Sequence, residues 1–158
     1  MRSIPQLLNS LAAACAVLAG IILTGITLLT VVSVIGRDFF GKAITGDFEL
    51  VAVAAGAAVA LFLPWCQAKR GNIIVDFFTS KSPAKVNAML DRFGALLMAV
   101  FMGVVAWRTG LGGLNAWGNN SGSMMLGFPE WITYCFLVPP LVLAALIALQ
   151  QAVASEAA

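Results

Sequence analysis

Four stretches without Asp, Glu, Lys or Arg constrain the fold of this chain more than any other feature. They are Ser3–Gly36, Leu50–Ala68, Phe93–Trp107 and Trp131–Ser155. A helix needs about 20 apolar residues to cross the ~30 Å hydrocarbon layer of a bilayer. Two of the stretches have that length directly, the first exceeds it, and the third reaches it only if Arg108 is tolerated near its end. We therefore predict an all-α membrane protein with four transmembrane helices.

The flanking polar residues set the limits of these spans within a single membrane domain, residues 1–158. We place the spans at about 11–36, 48–68, 90–113 and 131–154. The start of the first stretch, with Pro5 and Asn9, is expected at the membrane interface. The apolar run of this stretch is too long for a cleaved signal peptide. A stretch rich in Gly and Asn follows the third span, and its second half predicts an aqueous loop that ends at Pro129.

Composition excludes several classes of protein. Hydrophobic residues make up 61% of the chain and charged residues 10%, whereas soluble domains carry about 25% charged residues. The chain contains no His, which excludes haem held by paired imidazoles, His-bearing zinc sites and His-based catalytic triads. A net charge of +2 argues against a nucleic-acid partner. The three cysteines are far apart and are predicted to pack as apolar residues. We predict no enzyme and no catalytic, cofactor or metal site.

The distribution of basic residues predicts the orientation, because cytoplasmic loops are enriched in Lys and Arg. Six basic residues lie on one side of the four-helix path: Arg2, Lys69, Arg70, Lys81, Lys85 and Arg92. Three lie on the other: Arg37, Lys42 and Arg108. Both termini are therefore expected in the cytoplasm, together with the loop between the second and third spans.

That cytoplasmic loop contains a mainly apolar segment, residues 73–78, with Asp76 inside it. Basic residues flank the segment, so it is expected to lie along the lipid headgroups, the alternative being an ordinary connecting loop. Ser82 and Pro83 then predict the start of a cytoplasmic helix that leads into the third span. The residues expected to face lipid or the interface are Lys69, Arg70, Trp107 and Trp131.

Small residues recur every four positions in all four predicted helices. In lipid, such residues let helices approach closely enough for van der Waals contact. Ala52, Gly56 and Ala60 in the second helix are the predicted tight seam, either within the chain or toward another subunit.

Charged residues cluster at the non-cytoplasmic end of the first two helices. Asp47 and Glu49 begin the second helix, where the helix dipole favours negative charge, and Arg37 ends the first. We expect Arg37 to form a hydrogen-bonded cluster with Asp47 or Glu49. Arg108 is expected either to pair with Glu49 or to snorkel to the headgroups. No Asp or Glu lies in the interior of a span, so a coupling carboxylate of the kind that pumps use is not found.

Several strings of this sequence are similar to a known family of membrane proteins. They are Gly36-Arg37-Asp38-Phe39-Phe40-Gly41, Gly46-Asp47-Phe48-Glu49-Leu50, Ala68-Lys69-Arg70-Gly71-Asn72-Ile73-Ile74-Val75-Asp76 and Leu126-Gly127-Phe128-Pro129-Glu130-Trp131. In their order and spacing the chain resembles the small transmembrane subunit of tripartite ATP-independent periplasmic (TRAP) transporters. The resemblance covers nearly the whole chain. The matching strings contain Arg37, Glu49 and Asp76, and these residues, together with Asp47 and Arg108 from the charge pattern, are the candidate structural or subunit-interface residues.

The resemblance implies a subunit of a sodium-coupled uptake system for organic acids in the bacterial cytoplasmic (inner) membrane. Its implied partners are a large membrane subunit, a periplasmic substrate-binding protein and membrane lipids. Sodium and substrate sites are expected in the large subunit, so the small subunit needs no cofactor and acts as a stationary scaffold.

Two other functions are compatible with four short spans. A self-contained multidrug-type exporter has this size but needs a Glu within its first helix, and Ser3–Gly36 has none. A membrane anchor for a respiratory enzyme is possible only in a haem-free form, because the chain lacks His.

Overall fold

The computed structural model describes residues 3–42, 44–71 and 83–153, and it folds most of them into four α helices. The helices are α1 (Ser3–Phe40), α2 (Asp47–Ala68), α3 (Ala84–Gly118) and α4 (Glu130–Val153). Each is long and apolar enough to cross a membrane. The predicted fold class, an all-α membrane protein with four spanning helices, is confirmed. The cytoplasmic position of the termini stays a prediction.

The four helices differ in length, and two of them exceed the thickness of a bilayer. α2 has 22 residues and α4 has 24, which at the helical rise correspond to about 33 and 36 Å. α1 has 38 residues and α3 has 35, or about 57 and 53 Å. Since the hydrocarbon layer is ~30 Å thick, α2 and α4 match it closely, whereas α1 and α3 extend beyond it.

The helices lie side by side in the order α1, α2, α4, α3. α2 packs against α1 and α4, and α4 packs against α2 and α3. α1 touches α4 over a small area, and within the described ranges α3 contacts neither α1 nor α2. The arrangement is therefore a row in which α4, although last in the chain, occupies an inner place.

Alanine forms most of the small interior. Of the buried apolar residues, ten are alanines: Ala12, Ala19, Ala57, Ala58, Ala60, Ala99, Ala106, Ala116, Ala144 and Ala148. Between α1 and α2 the fully buried Ala19 and Ala58 pack with Leu61. Because small side chains allow close approach of helix backbones, this interior agrees with packing by van der Waals contact in lipid.

The predicted tight seam on α2 is wrong within this chain. Ala52 and Gly56 are exposed, and a Cβ added to Gly56 would meet no atom within 4 Å. Only Ala60 of that series is buried. α2 turns a different face, with Ala58 and Leu61, toward its neighbours, because the small residues of α1 and α4 lie on that side.

The third helix is longer at both ends than the sequence predicts. It begins at Ala84 with Pro83 at the N-cap, so the predicted cytoplasmic helix and the third span form one continuous helix. It continues to Gly118, and the loop to α4 is confined to residues 119–129. Ser82 and the predicted interfacial segment with Asp76 lie outside the described residues.

Candidate interface site at the ends of the helices

A carboxylate at the start of α2 holds the connection between α3 and α4. Glu49 accepts hydrogen bonds from the backbone N–H groups of Met125, at 2.9 Å, and Leu126, at 3.2 Å. The side chain of Ser123 also hydrogen-bonds to Glu49. Hydrogen bonds to an ionised carboxylate are stronger than those between neutral groups. Glu49 therefore joins the first turn of α2 to residues that are distant in sequence.

Gly46 makes this contact sterically possible. It has a φ of 77°, a left-handed conformation that glycine adopts without strain. A Cβ at this position would lie 2.5 Å from the Cγ atom of Leu126. The absence of a side chain at Gly46 thus lets Leu126 pack directly over the start of α2.

A second polar contact joins α1 to α2 at the same end. The hydroxyl of Ser33 donates a hydrogen bond to the Asp47 carboxylate and accepts one from the N–H of Ile44 at 3.3 Å. The other carboxylate oxygen of Asp47 accepts from the N–H of Phe48 at 2.7 Å. The hydroxyl of Ser33, a buried polar residue in an otherwise apolar helix, is therefore hydrogen-bonded.

The predicted hydrogen bond between Arg37 and these carboxylates is not seen among the described residues, although the charge of Arg37 acts electrostatically on Asp47. Asp47 is engaged by Ser33, and Glu49 by the amides of the α3–α4 connection. Within the described ranges, no hydrogen bond or ion pair joins Arg37 to either carboxylate. Arg37 lies four residues beyond Ser33, which is about 6 Å, or one helical turn, farther along α1 from the hydroxyl that binds Asp47.

Arg108 also lacks the predicted partner. It is exposed on α3, and in the described part of the chain it forms no ion pair with Glu49, whose oxygens bind backbone amides. Of the two expected alternatives, pairing with Glu49 is not seen among the described residues, and snorkelling to the headgroups stays a prediction.

Two glutamines join α2 to α4 at the opposite end. The amide nitrogen of Gln67 donates to the side-chain oxygen of Gln151 at 2.7 Å, and the amide nitrogen of Gln151 donates to the backbone oxygen of Gln67 at 2.8 Å. Gln67 is buried. This pair was not predicted from the sequence, although amide side chains near the ends of two apolar helices can indicate a hydrogen bond between those helices.

Close packing joins α3 to α4 near their shared end. A Cβ on Gly113 would lie 2.8 Å from the Cβ of Tyr134, and one on Gly112 would lie 3.0 Å from its ring. Trp117 and Trp131 meet edge to face with ring centroids 4.7 Å apart. The contacts of these two glycines were not predicted, because they lie in a glycine-rich stretch whose second half has the composition of a loop.

The residues expected to face lipid or the interface differ in how far they are exposed and in what they contact. Trp107 is 66% exposed, whereas Trp131 is partly covered by its contact with Trp117. Lys69 and Arg70 are exposed just after α2, and the ammonium of Lys69 lies 4.6 Å from the centre of the Trp65 ring. Contact of these residues with lipid stays a prediction.

The side chains at these positions form hydrogen bonds and packing contacts that hold the helices together. Within the described residues no three His, Cys, Asp or Glu side chains come together to hold a metal ion. No disulfide joins the three cysteines, all of which the structure describes. Two grooves on the described surface are apolar, with volumes of about 660 Å³ between α3 and α4 and about 380 Å³ beside Cys15 and Leu61.

Comparison with known proteins identifies a family. Residues 26–157 match the model of a family described as tripartite ATP-independent periplasmic transporters, DctQ component. The match begins within α1 and includes α2, α3 and α4, with the residues that form the hydrogen bonds of Asp47, Glu49 and Gln67. No curated protein and no solved structure matches the chain.

Proposed function

The chain belongs to the DctQ family, the small membrane component of TRAP transporters, and from this membership we propose that it acts as a stationary scaffold. In this role it lies in the bacterial inner membrane beside a large membrane subunit and works with a periplasmic substrate-binding protein. The large subunit carries the sodium and substrate sites, and the assembled transporter imports organic acids.

The observation that carries this proposal is the open row of helices. Only 6% of the residues in the most apolar stretches of α1 and α3 are buried, although both helices are long enough to cross a membrane. A row of this kind leaves broad apolar faces uncovered, and its described helices enclose no central pathway. Such faces suit a chain that lies along a larger membrane protein and extends the part of it that stays fixed.

The placement of acidic groups supports the same role. Asp47 and Glu49 lie in the first turn of α2, and both hydrogen-bond within the chain. Proton or cation coupling usually uses a carboxylate inside the membrane. We infer that coupling belongs to the partner chain, which separates this proposal from a self-contained exporter.

Reconstitution tests the proposal. Vesicles containing the large subunit, with or without this chain, receive the binding protein and a panel of radiolabelled organic acids under an inward sodium gradient. We expect uptake only when this chain is present, with equal amounts of the large subunit inserted in both preparations. Equal uptake without it would exclude the scaffold role, and sodium-driven flux through the purified chain alone would favour an autonomous transporter.

A further inference from the structure

Arg108 is a cation on an otherwise apolar face of α3. Leu97, Phe101 and Val104 are each half or more exposed, and they recur at the spacing of one helix face. Arg108 follows Val104 by four residues and lies on that face, which points away from α4. We call this set of four residues the outer face of α3.

The depth of Arg108 follows from its distance to the tryptophans at the end of the helix. Trp117 and Trp131 pack together there, and tryptophan is enriched at membrane interfaces. Arg108 precedes Trp117 by nine residues, or about 13 Å along the helix. Half of the hydrocarbon layer is about 15 Å, so the Cα atom of Arg108 lies near the middle of the membrane.

Helix geometry opposes escape of this side chain to the nearer headgroups. The Cα–Cβ bonds of a helix tilt toward its N-terminus, and long side chains follow them. For Arg108 that direction leads away from the Trp117 end and farther into the hydrocarbon layer. Snorkelling to the nearer surface would require the side chain to reverse its preferred course.

The described part of the chain supplies no counter-ion for Arg108. Glu49 and Asp47 are engaged by other donors. On α3 itself, Asp91 lies seventeen residues away, about 26 Å along the helix. A cation at this depth that faces out of the chain therefore needs an acceptor from a neighbouring molecule.

We infer that Arg108 pairs with a carboxylate on the membrane-embedded surface of the large subunit, and that the outer face of α3 is the contact surface for that subunit. The inference rests on the proposed function, which supplies a large membrane protein as the neighbour. A carboxylate at matching depth neutralises the guanidinium and accepts its hydrogen bonds in a bidentate geometry that a distant headgroup cannot provide. The apolar residues of the same face would pack around the pair.

Co-purification of the two membrane subunits tests the inference. The full chain, with an affinity tag, is expressed together with the large subunit, extracted in mild detergent and captured, and the retained large subunit is measured. We compare Arg108→Leu, Arg108→Lys and Arg108→Glu with Lys42→Leu, which removes an exposed positive charge from the α1–α2 connection. Leucine at position 108 is favourable for membrane insertion, so loss of binding in that variant does not reflect failed insertion.

We expect Arg108→Leu to lower the retained large subunit at least tenfold and Arg108→Glu to lower it further. Arg108→Lys should retain an intermediate amount, because lysine keeps the charge but not the bidentate geometry, and Lys42→Leu should retain most of it. In the Arg108→Glu background, replacement of one membrane-embedded Asp or Glu of the large subunit by Arg should restore the complex. Full retention in Arg108→Leu, or failure of every such replacement to restore binding, would overturn the inference. Loss of bound anionic phospholipid from Arg108→Leu with the large subunit still retained, measured by native mass spectrometry, would overturn it in favour of a lipid contact. Failure of the wild-type chain to retain the large subunit would instead contradict the proposed function itself.

Discussion

The inner helices α2 and α4 differ from the outer helices α1 and α3 in burial, and apolarity does not explain the difference. In their most apolar stretches, 28% of the residues of α2 and α4 are buried, against 6% for α1 and α3. Yet α1 has the most hydropathic stretch of the four. In a membrane, apolar side chains are as stable against lipid tails as against another helix. Hydropathy therefore identifies a spanning helix but does not indicate which helices pack against it. The inner helices are distinguished by small residues that pack closely against neighbouring helices and by a few polar contacts between helices.

The largest effect is expected from filling the interior of α2. Ala58→Phe puts a ring into a fully buried site between α1 and α2, and overpacking of this kind should lower the free energy of unfolding by about 3 kcal/mol. Ala52→Phe, on the exposed face of the same helix, is the matched control. Unfolding of the purified chain by SDS, followed by circular dichroism, measures both. Equal midpoints for the two variants would remove the distinction between the faces of α2.

The next largest effect concerns the contact of α3 with its one neighbour. Gly113→Ala places a Cβ 2.8 Å from the Cβ of Tyr134, and we expect a loss of about 2 kcal/mol because the two helices must separate. Gly110→Ala meets no atom within 4 Å and should raise stability by up to about 1 kcal/mol through helix propensity. The same SDS titration compares them. A loss in both variants would show that α3 is held more closely than its exposure indicates.

A smaller effect is expected at the glutamine pair between the inner helices. Gln67→Leu removes the donor to Gln151, and hydrogen bonds between membrane helices contribute about 1 kcal/mol. Gln150→Leu changes a neighbouring amide for which no hydrogen bond is seen in the described structure. Thermal unfolding in detergent should separate the two variants. Unchanged stability in Gln67→Leu would mean that small-residue packing alone joins α2 to α4.

The smallest effect is local and concerns the Glu49 carboxylate, which links α2 to the connection between α3 and α4. Glu49→Ala removes the acceptor for the N–H groups of Met125 and Leu126, so these two amides should exchange with deuterium faster. Glu130→Ala removes a carboxylate near the same end and should leave both rates unchanged. Hydrogen–deuterium exchange followed by mass spectrometry reports on the peptide that contains them. Equal protection in wild type and Glu49→Ala would show that Leu126 packing on Gly46 holds the connection without help.

The number of helices and the limits of α2 could be predicted because charge and glycine mark them in the sequence. Gly46 precedes α2, Asp47 begins it, and Lys69 and Arg70 follow it. The end of α3 could not be placed in the same way. Residues 115–118 have the composition of a loop, yet Ala116 is buried and Trp117 packs on Trp131, and these tertiary contacts keep the segment helical.

At the candidate site, the position of Glu49 was predictable but its partners were not. The groups that bind it are backbone amides of a turn, and these carry no side-chain signature. Asp47 shows the same limit, because its partner Ser33 is one of several hydroxyl residues in an apolar helix. The small-residue stripe of α2 was misassigned for a related reason. A stripe permits close approach, but only the neighbouring helices decide which stripe is used.

The place of α4 within the row has a consequence for biogenesis. Helices leave the ribosome in chain order, so α1 and α2 can pair early, while the described residues of α3 contact neither of these two helices. Those two pieces join only when α4 arrives and fills the gap between them. A nascent chain arrested before residue 130 should therefore hold two unattached units in the bilayer, open to quality-control proteases until translation resumes.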